Sequence, residues 1–228
     1  MHKLFILFIL FIFCAALLTA RAEGSVTRIE GTFDACYECF NATSNLRVAK
    51  KGVAVYYIDG KGHIQYDTYA DSICGEQNGD AIHSDTFGMK LLDAFWPTPL
   101  AFNALKADST ATTPESTTLI FDMRARIDKD DAKIMRWIGA SSEIKKWKIR
   151  CTYAGDDTSD ICADSLRTIT QTLDMTATGA IFSRAFDAPS TRCEMRVDID
   201  VRDVRHLTTK QAKEARKNDK KQLADRRR

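Results

Sequence analysis

Residues 193–202, CEMRVDIDVR, alternate strictly between apolar and charged side chains. Cys193, Met195, Val197, Ile199 and Val201 fall on one side, and Glu194, Arg196, Asp198, Asp200 and Arg202 on the other. A period of two belongs to an extended strand with one dry and one wet face. No helix of useful length accommodates it.

The same pattern recurs along the chain. Leu119, Phe121, Met123, Ala125 and Ile127 oppose Asp122, Arg124 and Arg126, while Ile169, Leu173, Met175 and Ala177 are backed by Thr168, Thr170, Thr172, Thr176 and Thr178. VAVYYI and HIQYDTY flank Asp59-Gly60-Lys61-Gly62, a connection rich in hairpin residues. IEGTFDACY and IKKWKIRCTY bring the set to about seven. One-sided strands joined by short turns predict antiparallel sheet. The expected fold is mainly β within the α+β class: an antiparallel β-sandwich or open barrel. It carries a short helical insert and a basic C-terminal helix or tail.

The insert is read at residues 84–106. Ser84 is placed to cap a helix with Met89, Leu92, Phe95 and Trp96 near helical spacing, stopped by Pro97 and Pro99. Residues 108–118, DSTATTPESTT, read as a polar loop. Trp96, Trp137 and Trp147 are expected as core or interface anchors.

Residues 1–22 have Lys3 in front, an apolar run from Leu4 to Leu18 and Ala20-Arg21-Ala22 behind, the layout of a cleavable secretory signal. The expected organisation is a signal peptide (1–22), a disulfide-stabilised β-rich domain (23–209) and a basic tail (210–228), with no membrane span after cleavage. The secreted, extracellular compartment then governs the cysteines. Beyond Cys14 there are six: Cys36, Cys39, Cys74, Cys151, Cys162 and Cys193. An even number in an oxidising compartment predicts three bridges. Cys151 and Cys162 flank a turn-rich stretch that a local bridge would close. Cys36 and Cys39, three apart on an extended strand, point to opposite faces and should seek different partners among Cys74 and Cys193. A redox dithiol would need a helix after the CxxC, where the sequence instead has Asn41-Ala42-Thr43-Ser44-Asn45, and a zinc site would need a second close pair. Asn41 completes an N-x-[ST] sequon, so a glycan on a surface loop is expected.

Charge is unevenly divided. The chain totals +2, yet residues 210–228 hold nine Lys or Arg against three acids, which leaves the β-rich body acidic. Thr208 and Gln211 stand in capping-box spacing ahead of this tail. With almost no apolar residue, the tail is expected to be a solvated, separable arm. Lys213, Arg216, Lys217, Lys220, Lys221, Arg226, Arg227 and Arg228 are its candidates for an anionic partner, a glycosaminoglycan or acidic protein.

Catalytic motifs are missing from the sequence: it has no GxSxG, HExxH, Walker loop or GxGxxG. His83 lies beside Asp80, Ser84 and Asp85, but Ser84 serves better as a helix cap. Asp128, Asp130 and Asp131 resemble a calcium loop in composition alone, since Lys133 stands where the glycine belongs and Gly139 where the glutamate belongs. A non-catalytic binding or structural module without cofactor or metal is therefore expected. The alternative is an extracellular carrier holding an apolar ligand between its sheets, with Phe87, Leu91, Phe95 and Trp96 as a lid.

Overall fold

The structure is a computed structural model in which residues 25–60, 64–81, 107–124, 144–156, 161, 163–178 and 190–225 are described. The expected signal segment (1–22), the expected helical insert at 84–106, His83, Asp128 to Asp131, Trp137, Cys162 and Arg226 to Arg228 lie outside those residues.

Nine strands are described: β1 (Ser25–Phe40), β2 (Asn45–Asp59), β3 (Ile64–Gln77), β4 (Asp80–Ala81), β5 (Ser109–Thr112), β6 (Ser116–Asp122), β7 (Ile144–Ala154), β8 (Leu166–Thr178) and β9 (Ser190–Thr208). They form one antiparallel sheet in the order β4-β3-β2-β1-β9-β8-β7-β6-β5. Helix α1 (Thr209–Asp225) follows β9 directly. The fold is thus mainly β with a C-terminal helix. Alternating burial along β1, β7 and β8 gives the sheet one dry face, a property shared by sandwiches and open barrels.

That face is the core. Phe33, Tyr37, Val48, Tyr56, Phe121, Trp147, Ile149, Ile169, Leu173, Met195 and Val197 belong to one buried cluster that draws on six strands. Burying one such aliphatic or aromatic side chain contributes about 1.5–3 kcal/mol. Trp147 is the core anchor that its sequence setting predicts. In β2 the alternation gives way to continuous burial from Ala54 to Ile58, because α1 covers the second face there.

Register slips between Glu30 and Gly31 against β9, between Lys51 and Gly52 against β3, and twice in β7 against β8, between Ile144 and Lys146 and between Thr152 and Tyr153. A glycine sits at each of the first two slips for a steric reason. A Cβ on Gly52 would stand 1.9 Å from the Tyr69 carbonyl oxygen, and one on Gly31 would stand 2.5 Å from that of Asp200.

Residues 108–118 depart from the expected polar loop. Ser109–Thr112 pairs with β6, and the turn is closed by Thr113 N–H donating to the Ser116 carbonyl at 2.8 Å. The run is polar but rich in threonine, a β-branched residue that suits a solvated edge strand.

The cysteines depart further. Cys39 and Cys193 are directly opposed on β1 and β9 and form a disulfide. Cys36, Cys74 and Cys151 are free thiols, so the expectation of full bridging does not hold. Cys36 and Cys74 do share a face, but both pair with Ala49 from opposite sides of β2. Two strand spacings separate them by about 9–10 Å, beyond the roughly 7 Å a bridge allows. Cys151 points into the core, where burial pushes its thiol up to about 12 and leaves it inert. The local bridge to Cys162 is therefore not formed.

A basic groove between the C-terminal helix and the sheet

Helix α1 begins with the capping box legible in the sequence. Gln211 N–H donates to Thr208 Oγ1 at 3.3 Å, and Thr208 N–H donates to Gln211 Oε1 at 2.9 Å. Alanine, lysine, arginine and glutamine then carry the helix on intrinsic preference. Its buried residues, Ala212, Asp219 and Leu223, lie seven and four apart on a single face. Ala212 packs with Val55 and Tyr57 of β2, on the side of the sheet away from the main core.

Asp219 holds this helix down. It is 8% exposed and receives a two-pronged contact from Arg28 of β1, Nε to Oδ2 and Nη2 to Oδ1, both at 2.9 Å. The Tyr57 hydroxyl donates to the same carboxylate. Arg28 also reaches Asp203 of β9 at 3.1 Å and Glu30 at 2.6 Å. Burial alone would lower the Arg28 pKa, yet its hydrogen bonds, that to Asp219 foremost, outweigh burial and raise it. Tyr57 is raised by burial first and by the Asp219 contact second. The expected separable arm is in fact a docked element. A buried carboxylate supplies what the sparse apolar residues do not.

Docking creates a groove of about 550 Å³. Lys213, Arg216, Lys217 and Lys220 form its helical wall. These positions recur at helical spacing, so the stripe runs about 10 Å along α1. Val26, Tyr57 and Ala212 provide an apolar floor, while Asp59 and Gln65 stand on the sheet side. The Arg216 guanidinium donates to Gln65 Oε1, tying the wall to β3. Of the cations predicted for an anionic partner, four converge here. Lys221 does not line the groove, and Arg226, Arg227 and Arg228 lie outside the described residues.

A second cleft of about 490 Å³ lies on the wet face of β1, β9, β8 and β7. Its charges are balanced within it: Arg192 pairs with Asp174 at 3.2 Å and Glu194 at 2.8 Å. Lys146, Arg196 and Glu38 also line it, so three cations meet three acids. The groove beside α1 instead sets four cations against Asp59. It is the better site for an incoming negative charge.

Sequence reasoning did not single out Arg28, Tyr57, Asp59, Gln65 or Asp219. A helical wheel held the signal for Asp219, since it falls in line with Ala212 and Leu223. The other four lie more than 140 positions away in the chain and carry no local sign of their role.

At the other end of β1, Asn41 opens the turn into β2. Its Oδ1 accepts from the N–H groups of Thr43 and Ser44, both at 2.8 Å, and Ala42 and Thr43 are exposed. Asn41 stands fifteen residue steps beyond Val26, about 50 Å of extended chain. The proposed lid residues Phe87, Leu91, Phe95 and Trp96 lie outside the described residues. Neither a known family model nor a curated protein sequence matches this chain.

Proposed function

We propose that this protein is a secreted glycoprotein acting as a non-catalytic binding module that holds an anionic partner, a glycosaminoglycan or acidic protein, in the groove beside α1. The observation that carries the reading is the convergence of Lys213, Arg216, Lys217 and Lys220 on a helix fixed by the buried Arg28–Asp219 pair. A pre-ordered row of cations binds at a smaller entropic cost than a floppy tail. The Cys39–Cys193 bridge supports an oxidising compartment. The exposed Asn41 turn, far from the groove, supports a glycan that leaves the site open.

Retention of the full chain on immobilised heparin at low salt tests this reading. Replacing Lys213, Arg216, Lys217 and Lys220 together by glutamine should bring elution forward to low salt. Unchanged elution would sink the reading.

A second reading, carriage of an apolar ligand, is favoured by two donors on the dry face. Trp147 Nε1 and Gln171 Nε2 are buried without a hydrogen-bond partner, and their strands pair so that the two residues are diagonal neighbours. Buried donors ordinarily find acceptors, and a carbonyl or carboxylate at one end of an apolar ligand would supply them. Organic extraction and mass spectrometry should then recover such a molecule at stoichiometric yield. An empty extract ends this reading.

A further inference from the structure

We infer that Cys36 is a site of mixed-disulfide formation with a small zwitterionic thiol of the cysteine or glutathione class, held in the cleft on the wet face of the sheet. The inference goes beyond the anion-binding reading and does not depend on it. Cys36 is a free, partly exposed thiol that lines this cleft of about 490 Å³, a size within the roughly 300–1,000 Å³ of small-molecule sites. Arg47 of β2 donates a hydrogen bond to its sulfur from one side, and Arg196 of β9 is its direct cross-strand neighbour on the other. Both guanidiniums also hold an acid, Arg47 with Glu38 at 3.1 Å and Arg196 with Asp198 at 2.6 Å. Reactive cysteines characteristically stand in such partly exposed, cation-rich surroundings.

The balance of charge that makes this cleft poor for a polyanion suits a ligand that carries both signs. Lys146 has no ion-pair partner among the described residues, and Asp174 Oδ1 is buried without a hydrogen bond. Buried acceptors ordinarily find donors. A carboxylate and an ammonium on one small molecule answer both groups, and cysteine and glutathione carry the two alongside their sulfur. Burial keeps Cys151 out of such chemistry, and Cys74, although exposed, does not line the cleft. The oxidant is the small disulfide itself, R–S–S–R. The Cys36 thiolate, its proton lost to solvent, attacks one sulfur; the S–S bond of the reagent breaks as the Cys36–S–S–R bond forms, and the departing R–S⁻ takes up a proton from solvent. One half of the reagent is reduced as Cys36 is oxidised. The Cys39–Cys193 bridge points to a compartment in which such disulfides persist.

A comparison of two thiols on one folded chain tests the inference. Incubation of the parent protein with oxidised glutathione, followed by peptide mapping by mass spectrometry, should place the tripeptide on Cys36 about tenfold faster than on the more exposed Cys74, as charge-assisted contacts in the cleft would give. Hydroxyethyl disulfide, a neutral reagent, should lose most of that preference. Lys146→Gln should slow the reaction of Cys36 with oxidised glutathione about threefold and leave its reaction with hydroxyethyl disulfide unchanged, a split that misfolding or altered thiol exposure would not produce. Modification of Cys74 as fast as Cys36 by oxidised glutathione would overturn the inference, as would an undiminished preference for Cys36 with the neutral reagent. A Cys36 that reacts only after the chain is unfolded in urea would overturn it too.

Discussion

At its Phe40 end, β1 is joined to β9 by the Cys39–Cys193 bridge, and at its Ser25 end it is joined to β9 and α1 by the contacts of Arg28. The two fastenings lie on opposite faces of the same strand and act on opposite states of the chain. The bridge links residues 154 apart and restricts the unfolded ensemble whatever surrounds it in the fold. The Arg28 network exists in the folded state alone, and each of its charges is tolerable because the others are there. A covalent tie thus depends on the compartment, and an ionic one on its neighbours.

Breaking the covalent tie should have the largest effect. Loop-closure entropy for a separation of this size corresponds to about 5 kcal/mol. Cys39→Ala with Cys193→Ala should lower the urea midpoint accordingly, and a loss below about 1 kcal/mol would mean that the tie at this end is redundant.

Breaking the ionic tie on one side should cost nearly as much. Arg28→Met leaves Asp219 buried without its cation, a loss of about 3–5 kcal/mol. Adding Asp219→Leu should recover much of it, since the stranded charge is then gone. Ending the chain after Thr208 should also destabilise, by stranding Arg28 and uncovering Val55 and Tyr57. A chain cut there that melts like the parent would return α1 to the status of a loose arm.

Lys50 sharpens the comparison as a buried cation of the opposite kind. It is 3% exposed on the dry face, near the Tyr37 ring, and burial lowers its pKa from 10.5 to about 8. Between about pH 8 and 10.5 the unfolded chain holds this proton and the folded chain does not. Stability from this group should therefore rise with pH across that window, and its cost is complete below it. Lys50→Met should abolish the slope and add up to about 3 kcal/mol at neutral pH. A slope that survives the substitution would assign it to another group.

The smallest effect belongs to the groove cations. Lys213→Gln and Lys217→Gln are exposed changes, each expected to shift stability by under about 0.5 kcal/mol. A larger loss would make them part of the fastening and not free to serve a ligand.

The strands were legible because their signal is local. Met195, Val197 and Ile199 are buried in β9 and Glu194, Arg196 and Asp200 exposed, following the alternation that the sequence displays. Docking of α1 was not legible, because its anchor is one acid between Asn218 and Lys220 whose partner stands 191 positions earlier. Composition measures how much apolar area a segment can bury, and α1 is held chiefly by charge. The cation positions could be read from the tail, but not the groove. Asp59, Gln65 and Val26 reach it only because β1, β2 and β3 adjoin. The cysteine parity argument failed at Ala49, since counting thiols takes no notice of a strand lying between two of them.

The sheet order places the first described strand beside the last. From β1 to β4 and from β5 to β9, sequence neighbours pair in turn, so each half can assemble while the chain emerges. The β1–β9 seam cannot. At synthesis rates of about 5–20 residues per second, β1 waits on the order of 10–30 seconds with one edge open before β9 arrives. During that interval Cys39 has no native partner, while Cys36 and Cys74 are already present as competing thiols. Newly made chains are therefore vulnerable to edge-to-edge association and mispaired bridges until their final strand is delivered. A helper that covers an open edge or exchanges disulfides would raise the yield of correctly sealed molecules.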